Sequence, residues 1–150
     1  MNKAKVAAGL GAAAVALAMP VVMHFEGLSL TPYADPVGIP TVCFGETHAE
    51  MRSYTVAECK SMLMASLESH GRDIAACLPQ DLPDHQKAAA LSFGYNVGAA
   101  KLCGSTFAAK LRARDPSACA ELSRWVYAGG KQLPGLVKRR AAERAMCEGK

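Results

Sequence analysis

A glutamate, Glu26, stands nine residues before an aspartate, Asp35, and a threonine, Thr41, follows six residues later. Two carboxylates and a hydroxyl are what glycosidic bond cleavage needs. One acid protonates the leaving oxygen, and a second carboxylate orients water or stabilises the cationic sugar. Glu and Asp are common, so the spacing carries more weight than the residue types. Pro32, Pro36, Gly38, Pro40 and Gly45 punctuate a run of β-type residues, which predicts a small twisted hairpin from Thr31 to Thr47. A helix over about residues 16 to 26, with Gly27 just past its end, would deliver Glu26 to that hairpin. Asp35 precedes Pro36 in a turn, where Asp also serves by bonding its own backbone.

The elements that must hold these residues are mostly helical. Thr55-Val56-Ala57-Glu58 is a capping-box pattern, and the helix it opens runs to about Ala76 with Met62, Leu63, Leu67 and Ile74 inward. Pro79 and Pro83 break the chain, and Asp84 begins a helix through Ala88, Leu91 and Tyr95. A shorter helix covers Thr106 to Ala113. Asp115-Pro116 reads as a cap followed by a first-turn proline, opening a helix to Tyr127. A glycine-rich loop, Gly129 to Gly135, precedes a last helix from about Leu136 to Cys147. A chain of 150 residues, 51% apolar, is expected to form one domain around one core.

The spacing of Glu26, Asp35 and Thr41, within Glu26-Gly27-Leu28, resembles that of the phage-type lysozymes, glycoside hydrolase family 24. Phe93-Gly94-Tyr95-Asn96-Val97-Gly98 resembles a cleft-lining segment of that family. Arg124-Trp125-Val126-Tyr127-Ala128-Gly129-Gly130-Lys131-Gln132 and Gly135-Leu136-Val137-Lys138-Arg139-Arg140 resemble its C-terminal part. The resemblance runs from His24 to the C-terminus. It implies an α+β fold, a mostly helical two-lobed lysozyme-like domain with one small antiparallel sheet. It implies a muramidase that hydrolyses the β-1,4 bond between N-acetylmuramic acid and N-acetylglucosamine with inversion, needing neither metal nor organic cofactor. By the same resemblance Glu26 is the acid, Asp35 and Thr41 orient the water, and Tyr95 and Asn96 touch sugar. Arg140 is expected to reach Glu26, with Arg139 as the alternative. Many relatives carry His where this chain has Glu46, which is expected to form a structural ion pair or to face the cleft. Trp125 is expected in the core, and His48, His70 and His85 at the surface.

The N-terminus is the second informative region. Val6 to Met23 is 18 residues without a charge, preceded by Lys3 and Lys5. At about 1.5 Å per residue it spans roughly 27 Å, just enough for a thin bilayer, and the basic flank puts the N-terminus inside. Seven Ala, two Gly and Pro20 make it a weak membrane segment. It resembles the anchor of the signal-anchor-release endolysins. The division expected is residues 1–25 as signal-anchor, partly becoming the first helix, and residues 26–150 as the catalytic domain. The expected location is the host inner membrane and, after release, the periplasm. Ala16-Leu17-Ala18 also fits a signal-peptide cleavage site, and a buried core helix is a further reading.

Six cysteines, at 43, 59, 77, 103, 119 and 147, show no metal-site spacing, and on an exported chain an even count favours disulfides. Fifteen pairings are possible, and the sequence does not choose among them. Cys43, two residues after Thr41, reads as a structural half-cystine or a buried thiol. A net charge of +4 suits an anionic wall polymer and is too small to argue for nucleic acid. The expected partners are therefore peptidoglycan and the inner membrane, with the protein itself a monomer. Three function classes follow: a membrane-tethered endolysin, a secreted muramidase with a cleaved signal, and a non-enzymatic wall or membrane binder.

Overall fold

The computed structural model describes residues 9–150. Lys3, Lys5 and the first residues of the apolar run lie outside that range. The elements are α1 (Ala12–Glu26), β1 (Ser29–Ala34), β2 (Pro40–Cys43), α2 (Val56–Ala75), α3 (Asp84–Val97), α4 (Ala99–Cys103) and α5 (Thr106–Arg112). A 3-10 helix (Ala118–Arg124), β3 (Tyr127–Ala128), β4 (Lys131–Gln132) and α6 (Pro134–Cys147) complete the chain. The fold is α+β, with a small antiparallel hairpin set against a helical body.

Helix α1 begins four residues earlier than its predicted start and buries Ala14, Val15, Ala18 and Val22. This spacing draws one helical stripe. Its neighbour α3 buries Ala88, Ala89, Ala90 and Leu91. Small side chains on both faces let the two backbones approach closely, and α1 packs chiefly on α3, then on α2 and α6. Among the described residues no helix is long and apolar enough to cross a membrane.

The capping box forms as predicted. Thr55 Oγ1 accepts from the Glu58 amide at 3.1 Å, and Glu58 Oε1 accepts from the Thr55 amide at 3.0 Å. Strands β1 and β2 pair antiparallel, with Tyr33 opposite Thr41, Ala34 opposite Pro40 and an irregularity between Ser29 and Tyr33. Val42, Cys43 and Phe44 of the second strand and its end are buried in the common core with Leu63, Leu67, Leu91 and Phe93. The hairpin is thereby fixed to the helical body.

The C-terminal third departs from the sequence reading. After Asp115-Pro116 there is no α-helix to Tyr127 but the short 3-10 helix, because Asp115 Oδ1 accepts from both the amide and the hydroxyl of Ser117 at 2.8 Å and closes a turn first. The expected glycine-rich loop is a second small antiparallel ladder, Tyr127 opposite Gln132 and Ala128 opposite Lys131. Helix α4, five residues long, has no counterpart in the sequence reading. The cysteines pair in chain order: Cys43–Cys59, Cys77–Cys103 and Cys119–Cys147. The first ties the hairpin to α2, and the last ties the 3-10 helix to the end of α6.

Candidate active site

Glu26 is the last residue of α1, so helix geometry carries its side chain to the mouth of the hairpin. Its carboxylate is 23% exposed and is held by Arg139, whose Nη1 donates to Oε1 at 2.7 Å. The other oxygen, Oε2, points toward Gly45. A Cβ built on Gly45 would lie 3.4 Å from Oε2, and the backbone there has φ +80°, which disfavours any side chain. Gly45 thus keeps one face of the carboxylate clear.

The arginine that meets Glu26 is Arg139, not Arg140. Neighbours on a helix point about 100° apart, from 3.6 residues per turn. Arg139, 4% exposed, also donates to the Ser92 carbonyl at 3.0 Å and, through Nε, to Glu143 at 3.3 Å. Arg140 faces the core instead. It donates to Glu143 at 2.7 Å and to the Trp125 carbonyl at 2.9 Å, hydrogen-bonds Asn96 Oδ1, and stacks 4.9 Å from the Phe93 ring centroid. Burial pushes the Arg140 guanidinium below its ordinary value, and Glu143 opposes the shift.

Glu143, fully buried, completes the network by accepting from Ser92 Oγ at 2.6 Å. Two carboxylates and two guanidinium groups therefore share one cluster, buried at Arg139, Arg140 and Glu143 and open to the cavities at Glu26. Among the described residues no buried side-chain polar atom lacks a partner, the condition under which a buried ionic group is tolerated. The interspersed charges of Lys138-Arg139-Arg140 and Glu143 predict a solvated helix face, whereas Arg139, Arg140 and Glu143 are buried, and nothing in the sequence pattern singles out Ser92. The spacing of Glu143 and Ser92 to Arg139 and Arg140 across α3 and α6 is a tertiary fact.

Glu26 borders two cavities. One, about 490 Å³, is lined by Glu26, Gly45, Glu46, His70, Tyr95 and Asn96 among others. The second, about 350 Å³, is bounded by Phe25, Glu26, Asn96, Leu136 and Arg139. The predicted Tyr95 and Asn96 are therefore brought together with Glu26. Tyr95 Oη donates to the Phe44 carbonyl at 3.2 Å. Burial, then Glu46 and Glu26, hold the Tyr95 phenol above its ordinary value, so it stays neutral and its oxygen keeps a free lone pair. Glu46 faces the first cavity and makes no ion pair among the described residues. It accepts from Ser66 Oγ at 2.8 Å. A larger cavity, about 530 Å³, lies beside Arg52, Tyr54 and Glu58 and contains none of the predicted site residues.

Asp35 and Thr41 line neither cavity around Glu26. Asp35 Oδ1 accepts from the Val37 and Ile39 amides at 2.9 and 2.8 Å and so closes the hairpin turn. Its other oxygen makes no hydrogen bond among the described residues. Thr41 is 3% exposed and donates to the Ile39 carbonyl at 2.9 Å. Trp125 is half-buried, edge-on to Phe93 at 5.1 Å, as a core residue would be. His48 is exposed, while His70 and His85 are half-buried, His70 against Tyr95 and His85 against the Cys147 carbonyl.

The sequence profile of phage lysozymes matches residues 23–143. The chain is 40% identical to a SAR-endolysin of Enterobacteria phage PA-2 and equally to one of Enterobacteria phage P21. Each match covers 95% of this chain and 92% of the relative. Its fold is similar to that of an endolysin from Escherichia coli O157:H7 phage FAHEc1, with a TM-score of 0.79 at 24% identity over 87% of this chain and 90% of that one. Identity over nearly the whole length, with the helix-end glutamate and its hairpin inside the matched span, leaves one assignment: the chain belongs to the phage lysozyme family and is a lysozyme-type glycoside hydrolase, a muramidase of host-cell lysis.

Proposed function

We propose that Glu26 is the proton donor of this hydrolysis and that Asp35 and Thr41 orient the attacking water. What supports the first role is the asymmetry of the carboxylate: Oε1 is bound by Arg139, and Oε2 is left over a glycine beside an open polar cavity. A fixed acid with one free oxygen is what general acid catalysis of a leaving glycosidic oxygen requires. Asp35 keeps one oxygen free of the turn, and Thr41 keeps its lone pairs, so both hold unused acceptors for a water molecule. With inversion, the two carboxyl groups stand about 6.5–9.5 Å apart when the glycan is bound. Tyr95 and Asn96 contact sugar from the cavity wall, and Arg140 sets the Asn96 amide from behind. The polymer cut is peptidoglycan, at the bond between N-acetylmuramic acid and N-acetylglucosamine. Replacing Glu26 with Gln should leave the fold intact and lower turbidity loss of purified peptidoglycan by about 10²–10⁴-fold. Activity above a tenth of wild type, at matched folded protein, overturns the role.

The N-terminal segment, in this proposal, first spans the inner membrane and later leaves it to become α1. Relatives bearing the SAR-endolysin name support the reading. So does the burial of Leu10, Ala14, Val15 and Ala18 in the folded core. Cleavage after Ala18 would remove those four side chains and expose what they cover on α2 and α3. The mass of the mature protein tests this: a chain beginning at Met19 overturns release in favour of a cleaved signal.

A further inference from the structure

The acid that the reaction does not use is Glu46. It lines the same 490 Å³ cavity as Glu26, with Tyr95 and His70, and no lysine or arginine lines that cavity. Its backbone is clamped: the Glu46 amide donates to the Val42 carbonyl at 2.9 Å, and the Val42 amide donates back to the Glu46 carbonyl at 3.0 Å. Its side chain is held by Ser66 Oγ at 2.8 Å on Oε1. Oε2 has no hydrogen-bond or ion-pair partner among the described residues, and the residue is only half-buried.

The two carboxylates of the cavity are unequal. Glu26 is engaged by Arg139, and Arg139 is spent on Glu26, Ser92 and Glu143. Glu46 is the carboxylate with no lysine or arginine beside it on the cavity wall, whose basic side chains are the imidazoles of His48 and His70. A chain of net charge +4 thus presents a cleft wall with a fixed carboxylate that no lysine or arginine of the wall offsets. A concave site of one sign concentrates the opposite charge, and an ionised carboxylate is acceptor-only, so its partner must be a donor. A charged N–H donor gives the shorter and stronger bond.

We propose that Glu46 is a specificity residue of this cleft, binding a primary ammonium group carried on or next to the glycan. Two sources share that chemistry: a glucosamine unit that has lost its acetyl group, and the free amine of a diamino acid in a stem peptide. The proposal rests on the cavity being the glycan site, so the test reads binding rather than hydrolysis.

Calorimetry on the full-length chain would compare three probes. These are a fully N-acetylated glucosamine oligomer, the same oligomer with one free amine, and an acetylated glycan bearing a peptide with a free diamino-acid amine. Wild type should favour one amine-bearing probe over the acetylated oligomer, and the probe it favours identifies the source. Glu46→Gln keeps an acceptor for Ser66 but removes the charge, and the preference should fall about tenfold, the cost of one charge-assisted hydrogen bond. Ser66→Ala, which frees the carboxylate without removing it, should lower the preference less. The preference should weaken with added salt. Equal affinity of wild type for all three probes, or an unchanged preference in Glu46→Gln, overturns the proposal. Failure of the glycan-site reading is distinct: no probe would bind, and Glu26→Gln would leave wall hydrolysis intact.

Discussion

At the scale of single residues, what the sequence discloses is type and spacing, and what it withholds is direction. Glu26 was legible because a helix end, a following glycine and a proline-marked hairpin leave one place for it. The arginine that meets it was legible only as a pair, since Arg139 and Arg140 are adjacent and the rotation of α6 on α3 decides which one turns to Glu26. Glu46 is legible in the sequence only as pairing or cleft-facing, because the sequence cannot show that Arg139 is spent on Glu26, Ser92 and Glu143. Asp35 holds the turn with one oxygen and leaves the other free, as the proposed water-orienting role would need. This allows a clean separation. Asp35→Asn keeps an oxygen that accepts the same two amides, so the hairpin and the thermal midpoint should hardly change. Hydrolysis should fall by about 10²-fold or more through loss of the charge. A variant with near wild-type turnover would mean that Asp35 only builds the turn.

Elements whose signals are local were predictable, and those whose signals are distant were not. The capping box at Thr55 and the proline breaks before α3 are written within a few residues, and both helices formed where expected. The region after Asp115 was misread because its fate depends on Cys119 being tied to α6 and on Asp115 spending its carboxylate on Ser117. Helix α4 is shorter than two turns, so no periodicity can announce it. The box also carries a pH signature. The Thr55 amide first, and then the Arg52 guanidinium, hold the exposed Glu58 carboxyl below its ordinary value. A carboxylate with a lowered folded-state value stabilises above the ordinary carboxylate range, and that contribution is lost as pH falls through the folded value. Wild type should therefore outlast Glu58→Gln in urea at pH 7, and the gap should close on acidification below the usual carboxylate range. A gap that is constant with pH would show that the charge does nothing there.

Across the whole molecule, two features bind activity to the compartment in which the chain arrives. The three disulfides close loops of 16, 26 and 28 residues. By loop-closure entropy each contributes about 3–4 kcal/mol, a sum comparable with the net stability of about 5–15 kcal/mol typical of a domain. Under reductant the protein should lose its cooperative thermal transition or melt at least ~10 °C lower; an unchanged midpoint would place its stability elsewhere. The second feature is α1, whose residues, on the release proposal, answer to two environments. In the proposed membrane state, every side chain of the segment would meet lipid. In the folded domain, Ala14 and Ala18 are fully buried on α3, while Ala12, Ala13 and Ala16 face solvent. Leucine therefore has different effects at different positions. At Gly11, where φ is +94°, a side chain strains the folded helix start, so a delay in lysis there would be ambiguous. At Ala18 it would overpack the α1–α3 contact at a cost of about 1–3 kcal/mol. At Ala12, Ala13 and Ala16 it deepens insertion by roughly 0.3–0.6 kcal/mol per residue or more and leaves the folded contacts alone. The triple variant should thus retain wild-type wall hydrolysis once purified in its folded form, yet hold longer in membranes and delay lysis of cells. Lysis on the wild-type schedule, with the protein still found in the membrane fraction, would show that release of this segment does not set the timing.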